Sequence, residues 1–100
     1  MKIRSILLAV VLGASVVSAP AYAATQLNVG VAFDIGGRGD KSFNDAAAAG
    51  LEKAQKQFDF NVEAVVTDGT STDREKRIRS LITKKCNPIV AIGAGYAATL

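Results

Sequence analysis

The sequence contains no histidine and a single cysteine. Without histidine, this stretch cannot build a His-based catalytic triad, most zinc sites or the usual proton shuttle at neutral pH. With Cys86 alone it cannot form an internal disulfide, so an exported form has to be held together by packing. Cys86 closes an amphipathic stretch and is expected as a buried, inert thiol. No G-x-x-x-x-G-K-[ST] phosphate loop occurs. Internal repeats and low-complexity linkers are missing too. The excess of positive charge is slight: Lys+Arg 12 against Asp+Glu 9 gives +3.

Two of those basic residues, Lys2 and Arg4, belong to an N-terminal segment of a particular kind. Met1 to Ser5 is short and positive, and Ile6 to Val17 is apolar apart from Gly13 and Ser15. Ala21-Tyr22-Ala23 puts small residues at the −3 and −1 positions of a cleavage site. Residues 1–23 therefore read as a secretory signal peptide, cut between Ala23 and Ala24. The run falls short of the ~20 apolar residues of a comfortable membrane span. Residues 24–100 keep ten basic against nine acidic residues, so their net charge is +1. No nucleic-acid partner can be argued from that balance. No cysteine follows the apolar run, so a lipid anchor is not expected and a periplasmic location is.

The stretch that organises the rest is Val29 to Asp45. Val29, Val31 and Phe33 alternate with Gly30 and Ala32, as in a strand covered on both faces. Asp34 then places a carboxylate at the carboxyl end of that strand, where ligands bind in open α/β sheets. Gly36, Gly37 and Gly39 loosen the loop and let a small molecule approach the backbone. Ser42 and Asp45 form an S-x-x-D helix start, with Phe43 and Asn44 in the first turn beside unpaired N–H groups. An anion, an aromatic face, an amide and free donors in one loop make a ligand site. An ordinary βα connection needs only ~2–6 residues and no three glycines.

The remaining elements follow in order. A helix over 42–57 buries Ala47, Gly50, Leu51, Ala54 and Phe58 at a 3.6-residue period. Val62 to Thr67 is a second strand, and Asp68-Gly69 a turn. Thr72-x-x-Glu75 reads as a capping box opening a helix to about Lys85, with Ile78, Leu81 and Ile82 as its buried stripe. Arg74, Lys76, Arg77, Arg79, Lys84 and Lys85 are its polar sides, expected as a solvated face. Asn87-Pro88 ends it. Ile89 to Ile92 is a third strand buried on both faces, Gly93 to Tyr96 a corner, and Ala97 to Leu100 the start of another helix.

The order β-α-β-α-β-(α) predicts a parallel α/β sheet with strand order 2-1-3, its helices on opposite faces. A switch point then falls between strands one and three, where the loops 34–42 and 93–96 meet as the predicted crevice. The exposed sheet edge and unfinished last helix lead us to expect a signal peptide plus the first half of a lobe, poorly folded alone.

Other patterns carry less. Gly93-x-Gly95-x-x-Ala98 fits the dinucleotide fingerprint but follows strand three rather than strand one. An exported Rossmann-like, NAD-binding oxidoreductase is the alternative it leaves open. Arg38-Gly39-Asp40 spells an adhesion tripeptide whose residues all have local uses. Asp34, Asp40 and Asp45 lack the alternating ligands of a calcium loop, so no metal is expected.

The phrase from Gly30 to Asp45, read as F-D-x-G-G-x-x-D-K-S-F-N, resembles the first loop of the basic membrane protein family. These are substrate-binding proteins of ABC importers, of the purine nucleoside receptor type. Gly50 to Ala54, the Thr72-Asp-Arg-Glu75 helix start and Ile92-Gly-x-Gly95 agree with it, so the resemblance covers 26–100. It implies a type I periplasmic-binding-protein fold, of which only the first part of the N-terminal lobe is present. It implies a non-enzymatic receptor without a cofactor, delivering a nucleoside to importer membrane subunits. Phe43 would stack on the purine, Asn44 would bond the base and Asp34 would accept hydrogen bonds. Ser42, Gly93 and Tyr96 would line the same site. The same fold could instead hold a sugar or a signal molecule. Many family members are lipoproteins, and this sequence departs from them in lacking the lipidation cysteine.

Overall fold

The structure is a computed structural model and describes residues 26–100. The signal peptide 1–23 and the Ala23–Ala24 cleavage site lie outside the described residues. Five regular elements and one short turn of 3-10 helix follow each other: β1 (Leu27–Phe33), α1 (Phe43–Gln57), β2 (Phe60–Val66), α2 (Ser71–Thr83), β3 (Ile89–Ala91) and the turn Ala94–Tyr96.

The sheet is parallel throughout, in the order β2-β1-β3. That is the predicted fold class and order. β1 pairs with β2 along its whole length, from Leu27 opposite Phe60 to Phe33 opposite Val66. β3 pairs with Gly30 to Ala32 on the other side. Successive side chains of a strand point to opposite faces, and β1 uses both. Val29, Val31 and Phe33 pack with Ala48 of α1, backed by Leu51, Phe60 and Val62. Ala32 packs on the opposite face with Ile78 and Leu81 of α2, with Cys86 and Tyr96. The two helices therefore lie on opposite faces, as the switch point requires. Each fully buried Phe or Leu stabilises by about 1.5–3 kcal/mol.

The small residues of β1 set the spacing of the α2 face. A Cβ on Gly30 would lie 2.9 Å from Cys86 Cβ and 3.2 Å from Leu81 Cδ1. Any larger residue at position 30 would push the end of α2 off the sheet. Cys86 is buried there with a free thiol, which burial pushes upward in pKa.

Several boundaries differ from expectation. β2 begins at Phe60 rather than Val62, because Phe60 pairs with Leu27 and joins the α1-side core. On α1 Asn44 and Ala48 are buried with the expected Ala47 and Leu51 packed beside them, while Gly50 and Phe58 are exposed. The run of four alanines gives no phase of its own, so the true stripe was hard to place. β3 is a residue shorter than expected, although Ile92 N still donates to Ala32 O at 2.8 Å. It is not buried on both faces, since Val90 is 44% exposed. The predicted corner holds the 3-10 turn Ala94–Tyr96, and residues 97–99 continue as turn rather than as the expected helix.

The caps differ too. α2 starts two residues earlier than predicted and its cap is Thr70, whose hydroxyl accepts from Asp73 N. The motif is Thr70-x-x-Asp73, two residues before Thr72-x-x-Glu75. At α1 the Ser42 side chain makes no capping bond.

Candidate functional site

The loops after the three strands gather at the carboxyl edge of the sheet, where the sequence predicts the crevice. The loop after β1 is held by two carboxylates, one of its own and one from α1. Asp40 accepts from the N–H groups of Ser42 (2.8 Å), Asn44 (3.1 Å) and Asp45 (3.1 Å). It thereby does the capping expected of Ser42, and these amides are no longer free for a ligand. Desolvation opposes the charge on Asp40, but the Ser42, Asn44 and Asp45 N–H groups outweigh it and hold the carboxyl below its usual range. Asp45 reaches back to Gly39 N (2.6 Å) and Lys41 N (2.9 Å). Gly39, with φ +96, has the positive backbone angle that makes this return possible.

Asn44 is 1% exposed. Its amide oxygen accepts from Asp34 N (3.0 Å), and its nitrogen donates to Asp34 O (3.2 Å) and Ile35 O (3.3 Å). The side chain clamps the end of β1 to the start of α1. A direct contact of Asn44 with a solute would first break some of these bonds. Phe43, its neighbour, is 79% exposed. An uncovered aromatic ring is able to offer a stacking face. Ser42 is exposed as well, with its hydroxyl not engaged in the cap.

Asp34 sits half-buried at the centre. Its Oδ1 accepts from Arg74 Nη2 at 3.1 Å. The Ile35 N–H and the Arg74 guanidinium hold its carboxyl below the usual range, against the opposing effect of burial. Asp34 also lies against Gly93, where an added Cβ would collide with Oδ2. Gly93 has φ +101, so a side chain is excluded there on both counts. Tyr96 is 1% exposed and its hydroxyl donates to Phe33 O at 3.0 Å. Burial pushes its phenol upward in pKa. The structure thus brings Asp34, Gly93 and Tyr96 together, with Asn44 beneath the loop and Phe43 and Ser42 at its exposed end.

Arg74 is the residue that the sequence analysis placed wrongly. It was grouped with the solvated side of α2, where Arg79 does pair with Glu75 on the surface. Its side chain is instead only 13% exposed. The signal was there in the spacing: Arg74, Ile78 and Leu81 share the i, i+4, i+7 stripe that α2 turns to the sheet. The guanidinium also occupies the space beside Gly95, where a Cβ would collide with it. That leaves no room for a pyrophosphate at the second glycine of Gly93-x-Gly95. The turn after Gly93 is a single 3-10 turn with no α-helix N-terminus to face phosphate. Both observations count against dinucleotide binding.

A groove of about 490 Å³ lies elsewhere, lined by Ser71, Thr72, Glu75, Ile78, Arg79, Ile82, Ala98 and Thr99. None of the predicted ligand residues borders it. Among the described residues, no group of three or more His, Cys, Asp or Glu could hold a metal ion.

Three relatives are similar to this chain. An uncharacterized lipoprotein of Pyrococcus abyssi is 35% identical over 78 residues, 77% of this chain and 19% of its own. One of Pyrococcus furiosus is 39% identical over 69 residues, 68% of this chain and 17% of its own. One of Pyrococcus horikoshii is 47% identical over 38 residues, 38% of this chain and 9% of its own. The chain thus spans about a fifth or less of the length of the curated relatives it matches. No solved structure matches it significantly. The family model described as Bmp, ABC transporter substrate-binding protein PnrA-like, matches residues 27–100. That match takes in all three strands and every residue of the crevice, and the chain belongs to this family of PnrA-like ABC transporter substrate-binding proteins.

Proposed function

We propose that this chain is the leading part of an extracytoplasmic receptor that captures a purine nucleoside and hands it to the membrane subunits of an ABC importer. The single observation that carries this reading is the strand-end crevice: an anionic Asp34 at the switch point, beside a loop that leaves Phe43 uncovered. An aromatic face gives a base its affinity, and a carboxylate selects for hydroxyl or N–H donors. The protein acts by binding and release rather than by catalysis, and it needs no cofactor. Phe43 stacks on the base, and Asp34 accepts from the solute. Ser42 and Gly93 complete the wall, while Tyr96, buried with its hydroxyl on Phe33 O, supports it from beneath and Asn44 holds Asp34 in place.

The receptor works in the periplasm after removal of residues 1–23. The relatives are described as lipoproteins. In this sequence no cysteine follows the apolar run of residues 6–17, which supports a receptor that diffuses freely. Release of the expressed protein in the osmotic-shock fraction checks this; recovery only with detergent overturns it.

Calorimetry on the full-length mature protein tests the solute. Inosine, guanosine or adenosine binds, and Phe43→Ala weakens binding by roughly tenfold or more, the usual loss of a base–aromatic stack. Failure of all three to bind removes the nucleoside assignment. Mass spectrometry of a co-purified ligand then identifies a sugar or signal molecule in its place.

A further inference from the structure

Arg74 touches all three strand-end loops at once. Its Nη1 donates to Gly69 O after β2 at 2.6 Å. Its Nη2 donates to Asp34 Oδ1 after β1 at 3.1 Å. Its Cζ lies 5.6 Å from the centre of the Tyr96 ring after β3. The Nε is buried without a partner. Taking a guanidinium this far out of water is unfavourable, and an apolar residue would seal the same space at lower cost. A solvated helix face, or a plug for a packed core, would not be built this way.

We propose that Arg74 is the positioning residue of the crevice, fixing Asp34 so that its free oxygen accepts hydrogen bonds from a neutral, donor-bearing solute. This rests on the reading of the crevice as a solute site. Each Nη donates one hydrogen to a protein acceptor and the side chain is only 13% exposed, so little of the guanidinium is left open to an anionic solute. The Asp34 side chain keeps 31% of its surface exposed, and Gly93, by carrying no side chain, leaves Oδ2 uncrowded where the two meet. A solute hydroxyl or N–H would meet that oxygen. Replacing Arg74 would leave a mobile carboxylate that protonates more readily.

The charged and titratable groups around Asp34 are Arg74 from α2 and Tyr96 from the turn after β3. Tyr96 stays neutral through acid pH, since burial moves its phenol upward. Asp73, also on α2, is committed to Thr67 Oγ1, Asp68 N and Arg77 Nε. The pH response of Asp34 is therefore governed by its pairing with Arg74.

The test uses the full-length mature protein with inosine as the probe. Wild-type affinity holds between pH 6 and pH 4. Arg74→Met weakens binding roughly tenfold at pH 7, as loss of a charge-assisted hydrogen bond does, and weakens it further toward pH 4. Arg74→Lys restores part of both. Arg74→Gln replaces the Met variant if that one fails to fold. NMR titration of the Asp34 carboxyl carbon, without any solute, gives an independent reading: its midpoint rises in the Met or Gln variant. An unmoved midpoint overturns the proposal, as does a folded variant with wild-type affinity and pH profile. If the wild type itself ignores inosine, the nucleoside reading fails, and the carboxyl titration alone decides the role of Arg74.

Discussion

The loops after β1 and β2 solve the same problem in different ways. Each leads from a strand into a helix, and each has an aspartate at the third helical position reaching back into the loop. Asp45 takes the N–H groups of Gly39 and Lys41. Asp73 takes Asp68 N and the Thr67 hydroxyl. The short loop, residues 67–70, caps its helix with its last residue, Thr70. The long loop, residues 34–42, caps its helix with Asp40, two residues before Ser42. Moving the cap upstream leaves Ser42 and Phe43 without structural duties. The short loop is a connection; the long one is a connection that leaves two exposed side chains uncommitted.

Variants of the full-length protein sharpen that contrast. The largest effect belongs to Asn44→Ala, which strands the Asp34 N–H and two carbonyls beneath the long loop. Stability falls by about 2–3 kcal/mol, the cost of leaving buried backbone groups unpaired, measured by urea unfolding. Next comes the pair of caps. Thr70→Ala loses about 1 kcal/mol, as helix caps do, whereas Ser42→Ala leaves the midpoint unchanged. Equal losses at the two positions would erase the distinction between the loops.

Acid is the third probe. Asp34, Asp40 and Asp73 all have carboxyls held below the ordinary value of 3.8. As pH falls through 3.8 the unfolded chain takes up these protons first, so the contribution present above that value is lost below it. The melting temperature should fall as pH drops below about 4. Asp40→Asn and Asp73→Asn should each flatten that fall. The smallest effect on stability is that of Phe43→Ala, expected to be within about 0.5 kcal/mol for an exposed side chain. A large loss there would show the ring to be packing rather than a ligand face.

Much of this was legible in the residues. The alternation of Val29, Val31 and Phe33 with Gly30 and Ala32 located β1 and showed both faces covered. The β-α-β-α-β order then led to the 2-1-3 sheet and to the meeting of loops 34–42 and 93–96. The helix starts were not legible in the same detail, because Asp40, Ser42 and Asp45, or Thr70, Thr72 and Asp73, are all competent caps. Only the loop geometry decides among them. Phe60 was missed because a lone aromatic after Asp59 carries no period. Arg74 was missed because charge was taken to mean solvent, although its spacing from Ile78 and Leu81 indicated otherwise.

Gly30 has an influence beyond its own contacts. With only a hydrogen on its Cα, it lets Leu81 and Cys86 settle close to the sheet. Arg74 stands two turns earlier on the same rigid helix. A single absent methyl at mid-sheet therefore works like the shim under a lever, governing how far the guanidinium extends over the rim. Enlarging residue 30 would tilt the lever outward and loosen the grip on Asp34 from a place no solute ever reaches.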